Sequence, residues 1–115
     1  MSDATAPAGL PMSTGLEIPG LTIVESIGVV YGLVVRSMGL TGSVVSSFKA
    51  LRRGEISEYT QLLEDSRRHA IDRMVDNARL MGADAVIAVR FDSSEIGQQF
   101  TEIVAYGTAV KTTRS

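Results

Sequence analysis

The chain has 115 residues, 44% of them hydrophobic and 21% charged, with a formal net charge of −2, the profile of one ordinary globular domain. It has no cysteine, which excludes disulfides, thiolate catalysis and Cys-based zinc sites. Its one histidine, His69, excludes an all-histidine metal cage within a subunit. Basic residues are scattered, aromatics make up 5% and tryptophan is absent, so neither a phosphate-backbone footprint nor a base-stacking platform is expected, and nucleic acid is not an expected partner.

Residues 1–15, MSDATAPAGLPMSTG, are rich in small and turn-forming residues without a period. They read as a flexible leader, followed by a single domain over 16–115. The leader has neither a basic start nor an apolar run, so no secretory signal is expected. No stretch approaches the ~20 apolar residues of a membrane span. The expectation is a cytoplasmic protein with no membrane partner.

Residues 21–37, LTIVESIGVVYGLVVRS, are rich in β-branched side chains and contain Gly28 and Gly32. Thr22, Val24 and Ser26 alternate with Leu21, Ile23 and Glu25, and the rhythm then breaks at Val29–Val30 and Val34–Val35. Two strands joined by a bend, or one long strand bulged at a glycine, fit this pattern. Glycine inside a strand also marks a close approach of two backbones. Downstream, Thr41 or Ser43 is placed to cap a short helix carrying Val44, Val45, Phe48 and Leu51, with Gly54 as its stop.

The most periodic segment runs from Ser57 to Met81. Tyr59, Leu62, Leu63, Ser66, Ala70, Met74, Ala78 and Met81 share one face of a helix, and Glu64, Arg68, Asp72 and Asp76 the other. Such a helix must lie on a sheet, because ordering its backbone costs about 1–2 kcal/mol per residue. Gly82 suits the left-handed residue that ends it. In the strand that follows, Ala85, Ile87, Val89 and Phe91 are expected to face one way and Val86, Ala88, Arg90 and Asp92 the other. SSEIGQQ reads as a loop, and FTEIVAYGTAVK as a return strand with Thr101, Ile103, Ala105, Gly107 and Ala109 on one face. Pairing Phe91 with Thr101 sets Arg90 opposite Glu102. The fold class is therefore α+β: strand(s), helix, helix, strand, strand, with a mostly antiparallel sheet against one long and one short helix.

Read in order, TIVESIGVVYG, YTQLLEDSRRHA, MGADAVIAVRFD and AYGTAVKT resemble the YbjQ-like family of small bacterial proteins that carry a heavy-metal-binding label. The resemblance runs from about Thr22 to Thr112. It implies an α+β subunit that assembles with itself into a ring, a homopentamer or paired pentamers. Two positions depart from the family pattern. Arg53-Gly54 stands where the family often has Gly-Gly, and Ser66 stands where it has Ala ahead of the helical arginine, here Arg67.

Several residues are candidates for function. His69 lies four residues after Asp65, a spacing that offers two ligands to a divalent transition metal, although a border histidine between core and solvent explains it more simply. Asp92, Glu95 and Glu102 gather near the hairpin, where charge also guards a strand edge. Arg67, Arg73 and Asn77 fall on the apolar side of the long helix and mark a face that ties to the sheet or to another subunit. Arg36 and the glycines of Gly39–Ser43 offer a weak anion site. No serine has a nucleophile-elbow context, and no pair of carboxylates is singled out for acid–base work. The leading expectation is a non-enzymatic, ring-forming homo-oligomer that needs no cofactor and binds a small ligand or partner at its interfaces. Metal binding at a shared interface comes second, and an enzyme acting on a small anion near Arg36 third.

Overall fold

The computed structural model describes residues 9–37, 57–97 and 100–115. Among them the order is β1 (Leu21–Ser37), α1 (Ser57–Leu80), β2 (Ala85–Ile96) and β3 (Phe100–Arg114). The strands form one antiparallel sheet in the order β1-β3-β2. The α+β class with one long helix on an antiparallel sheet is as expected; the short helix expected over 41–54 lies outside the described residues.

β1 is a single 17-residue strand rather than two. Its register against β3 slips between Ile23 and Glu25 and again between Ser26 and Gly28. Gly28, with φ 152°, takes a backbone shape that side chains disfavour and so absorbs the second slip. Beyond it the alternation is regular: Val30, Gly32 and Val34 are buried, while Val29, Tyr31, Leu33 and Val35 are exposed.

α1 buries a row at every fourth position, Ser66, Ala70, Met74 and Ala78, joined by Val75 and the half-buried Ile71. Leu63 and Met81, expected on the buried face, lie at its exposed margin. Three of the four, Ser66, Ala70 and Ala78, are small, and the helix comes very close to β1. A Cβ on Gly32 would collide with Ala70 O and Met74 N. The glycine is therefore the close-approach kind that the strand pattern admitted.

The end of the helix forms a Schellman motif. Gly82 N donates to Arg79 O at 2.9 Å and Ala83 N to Ala78 O at 3.0 Å, with Gly82 left-handed at φ 86°. Ala83 and Ala78, both buried, supply the apolar contact that accompanies such a cap. Asp84 then clamps the last strand: its Oδ1 accepts from Thr112 N at 2.8 Å and from Thr112 Oγ1 at 2.9 Å. Each residue of Gly82-Ala83-Asp84 thus has a defined mechanical part in turning helix into sheet.

The hairpin corrects three expectations. SSEI continues β2 rather than forming a loop, and Ile96 pairs with Phe100. Phe91 pairs with Ala105 instead of Thr101, and Arg90 lies opposite Tyr106 instead of Glu102. Both follow from the ladder's running on to the pair Ile96–Phe100; Gly97, just past it, has φ 68°. Finally, a bulge between Ile87 and Arg90, at Ala88 with φ 54°, reverses the facing of everything after it. Val86 and Phe91 share the helix side, while Ala85, Ile87, Arg90 and Asp92 share the other. On β3 the expected face holds, with Ile103, Ala105, Gly107 and Ala109 buried.

The folded part also begins earlier than Leu16. Residues 11–15 run beside β2 in parallel: Val86 N donates to Pro11 O, Ser13 N to Val86 O, Ala88 N to Gly15 O and Val89 N to Ser13 O, at 2.8–3.1 Å. The edge of β2 thus offers main-chain partners to a polar, turn-rich segment that has no apolar pattern of its own. The helix lies mainly over β1, less over β3 and barely over β2.

Candidate functional site

Along its outer edge β1 has no strand neighbour among the described residues, and one flank of α1 runs beside that edge. His69, Arg73 and Asn77 follow one another at four-residue steps, and so form a line on the helix surface. Eight residues of helix advance about 12 Å; four residues of strand advance about 13 Å. The flank from Asn77 back to His69 therefore keeps pace with β1 from Tyr31 to Val35. At one end Asn77 Nδ2 donates to Tyr31 O at 2.8 Å. At the other, Arg36 reaches across to the helix: its Nε donates to Ser66 Oγ at 3.0 Å, and its Nη2 lies 3.4 Å from His69 Nδ1.

Between these anchors lies an open groove of about 370 Å³, lined by Leu33, Val34, Val35, Arg36, His69 and Arg73. Ser66 holds Arg36 in place. It is fully buried, and its hydroxyl accepts from Arg36 while donating to Leu62 O at 2.9 Å. A guanidinium has no acceptor atom, so His69 Nδ1 receives the hydrogen bond and the ring carries its proton on Nε2. The Arg73 side chain has no hydrogen-bond or ion-pair partner among the described residues. Two arginines thus share one groove, and among the described residues no carboxylate lines it with them.

The remaining candidates are dispersed. Asp65, expected to join His69, is held by Gln61 Nε2 at 3.1 Å and by Arg68 Nη1 at 3.5 Å. Arg67 lies over the ring of Phe91, 5.2 Å from its centroid, and so links α1 to β2, a contact worth about 0.5–1 kcal/mol at an exposed site. Glu102 Oε1 accepts from Ser94 Oγ at 3.1 Å, and Asp92 Oδ1 from Ser93 N at 2.9 Å. Glu95, paired with Thr101, faces the opposite side of the hairpin from Asp92 and Glu102. Arg90 Nη1 donates to Thr14 O at 2.7 Å, tying down the segment before Leu16. No group of three or more His, Cys, Asp or Glu positioned for a metal occurs among the described residues. The glycines of Gly39–Ser43 lie outside them.

The structure therefore joins Arg36, His69 and Arg73 in one groove, with Asn77 at its end, and leaves Asp65 and Arg67 elsewhere. Ser66 escaped the sequence reading as a functional residue. Its signal was a hydroxyl in the middle of an apolar helical face, which needs a buried partner.

A family model described as "Putative heavy-metal-binding" matches residues 10–113. A UPF0145 protein of Sulfurisphaera tokodaii is 51% identical over 104 residues, covering 90% of this chain and 91% of that protein. Another from a Bradyrhizobium species is 53% identical over 93 residues, covering 81% and 84%. Archaeal relatives extend the family beyond the bacteria expected from the resemblance. A crystal structure of a protein of unknown function, of the DUF74 family from Pediococcus pentosaceus, superposes with a TM-score of 0.50 at 18% identity, covering 90% of this chain and 98% of that one. At that identity the likeness concerns the fold alone.

Proposed function

The chain belongs to the YbjQ family, and we propose that it is a non-enzymatic, cytoplasmic subunit of a ring-forming homo-oligomer, a pentamer or paired pentamers, that binds a small ligand or partner at its subunit interfaces. The observation carrying this reading is an inverted distribution of apolar side chains. Among the described residues the core is built mostly from Ala and Val, and its largest fully buried side chains are Met74, Val86 and Val110. Larger side chains face outward on the side of the sheet away from α1: Val29 is 72% exposed, Tyr31 58% and Val35 50%, beside Leu33 and Tyr106. A contiguous apolar face of this kind is costly in water and is characteristic of a surface that meets protein. A ring uses head-to-tail contacts that close on themselves, so each subunit offers two different surfaces. The open face of Val29, Tyr31 and Val35 supports one of these two surfaces.

Size-exclusion chromatography with light scattering tests the proposal. A particle of several subunits at micromolar concentration supports it, and a stable monomer contradicts it.

The family description favours a second reading, a divalent transition metal held between subunits. His69 is exposed, but Asp65 is already engaged, so further ligands must come from neighbouring copies. Calorimetric titration with Zn²⁺, Cu²⁺ and Ni²⁺ tests this. Micromolar binding that disappears in His69→Ala supports it, and the absence of heat with all three ions removes it.

A further inference from the structure

We propose that the groove between the β1 edge and the His69–Arg73–Asn77 flank binds an oxyanion, the phosphate or carboxylate group of a small molecule. This rests on the ligand-binding reading above and names the chemistry it takes.

Four observations converge on that chemistry. Arg36 and Arg73 line the same groove, and among the described residues no carboxylate lines it with them. Guanidinium groups offer forked donors that match the oxygens of carboxylate and phosphate. His69 contributes in the same sense: with Nδ1 turned to Arg36, its Nε2–H is a further donor.

The third observation concerns the main chain. Tyr31 O accepts from Asn77, on the side of β1 away from β3. Main-chain groups of a strand alternate in direction, so Leu33 and Val35 turn their N–H and C=O groups to that same open edge. Their amides border the groove and add donors that carry no desolvated charge.

Fourth, the arginine at the base is positioned in advance. The buried Ser66 hydroxyl holds Arg36 by its Nε and His69 engages Nη2, so that Nη1, without a partner among the described residues, is left to a ligand. A cation would meet the opposite conditions. It would sit beside two guanidiniums and compete with Arg36 for the one imidazole lone pair. The groove that contains the chain's sole histidine therefore selects anions over metal ions.

The test uses the full-length protein with inorganic phosphate and citrate as probes, read by amide chemical shifts in ¹H–¹⁵N spectra and by calorimetry. Arg73→Gln and Arg36→Gln are compared with the unaltered chain, and light scattering is recorded on each. Saturable shifts at Leu33, Val35 and His69, weakened about tenfold or more in either variant at unchanged particle mass, are expected from losing a charged hydrogen bond. Phosphate binding without citrate, or the reverse, identifies which oxyanion the groove prefers and supports the assignment. Absence of shifts with both probes overturns it, as does equal binding by all three proteins. A particle that loses mass in Arg73→Gln overturns it as well, because the groove then holds a neighbouring copy. If the unaltered chain is monomeric yet binds either probe, the ring reading fails while the oxyanion site stands.

Discussion

Arg36 on β1 and Ser66 on α1 are joined by a 3.0 Å hydrogen bond from Nε to a fully buried hydroxyl. The bond spans 30 residues of sequence and sets the distance between the sheet edge and the helix flank that together make the groove. It also accounts for a serine where the family pattern has alanine: the hydroxyl has two partners, Arg36 and Leu62 O.

Replacing that hydroxyl should cost little stability and loosen Arg36. Ser66→Ala leaves the half-buried guanidinium to water, so a loss of about 1 kcal/mol is expected in urea unfolding. An unchanged midpoint would mean that the contact is incidental.

Gly32→Ala should be far more damaging than its size suggests. The added methyl meets backbone, Ala70 O and Met74 N, which cannot rotate away as a side chain can. Overpacking of this kind costs about 1–3 kcal/mol, and the helix must lift from β1 to relieve it. Thermal and urea unfolding measure the loss. Wild-type stability would show that α1 is free to shift on the sheet.

Tyr31→Glu addresses assembly rather than folding. The side chain is 58% exposed on the open face, so the subunit should fold normally by circular dichroism. A charge placed in an apolar contact should instead dissociate the particle, seen as a fall in mass by light scattering. Retained mass would move the interface elsewhere.

Removing residues 1–15 strips Pro11, Ser13 and Gly15 from β2 and leaves the main-chain groups of Val86, Ala88 and Val89 without those partners. A stability loss of about 1–3 kcal/mol is expected, together with faster aggregation through the uncovered edge. A truncated chain with the same midpoint and solubility would show that this pairing contributes nothing.

Much of the architecture was legible one residue at a time. The four-residue recurrence of Ser66, Ala70, Met74 and Ala78, the stop at Gly82 and the alternation in β3 are local patterns, and local sterics enforce them. Hairpin register was not. It depends on how many residues the turn consumes, and the polar run SSEI has the composition of a loop while pairing as strand. A bulge at Ala88 is harder still, because alanine carries no mark of a left-handed residue, yet that one residue reverses the facing of Phe91 and Arg90. Leader residues 11–15 are alike in this: their hydrogen bonds belong to β2's edge and leave no trace in their own side chains.

The chain's order thus determined by itself which segments become helix and strand, and that the long helix needs a sheet, because periodicity and capping act within a few residues. Tertiary structure alone decided that Arg36 meets His69 and Arg73, and that Gly32 lies beneath Ala70. Those relations join segments some 30 or more residues apart, and they are set by helix-on-strand distance, a quantity that depends on every small side chain between the two layers at once.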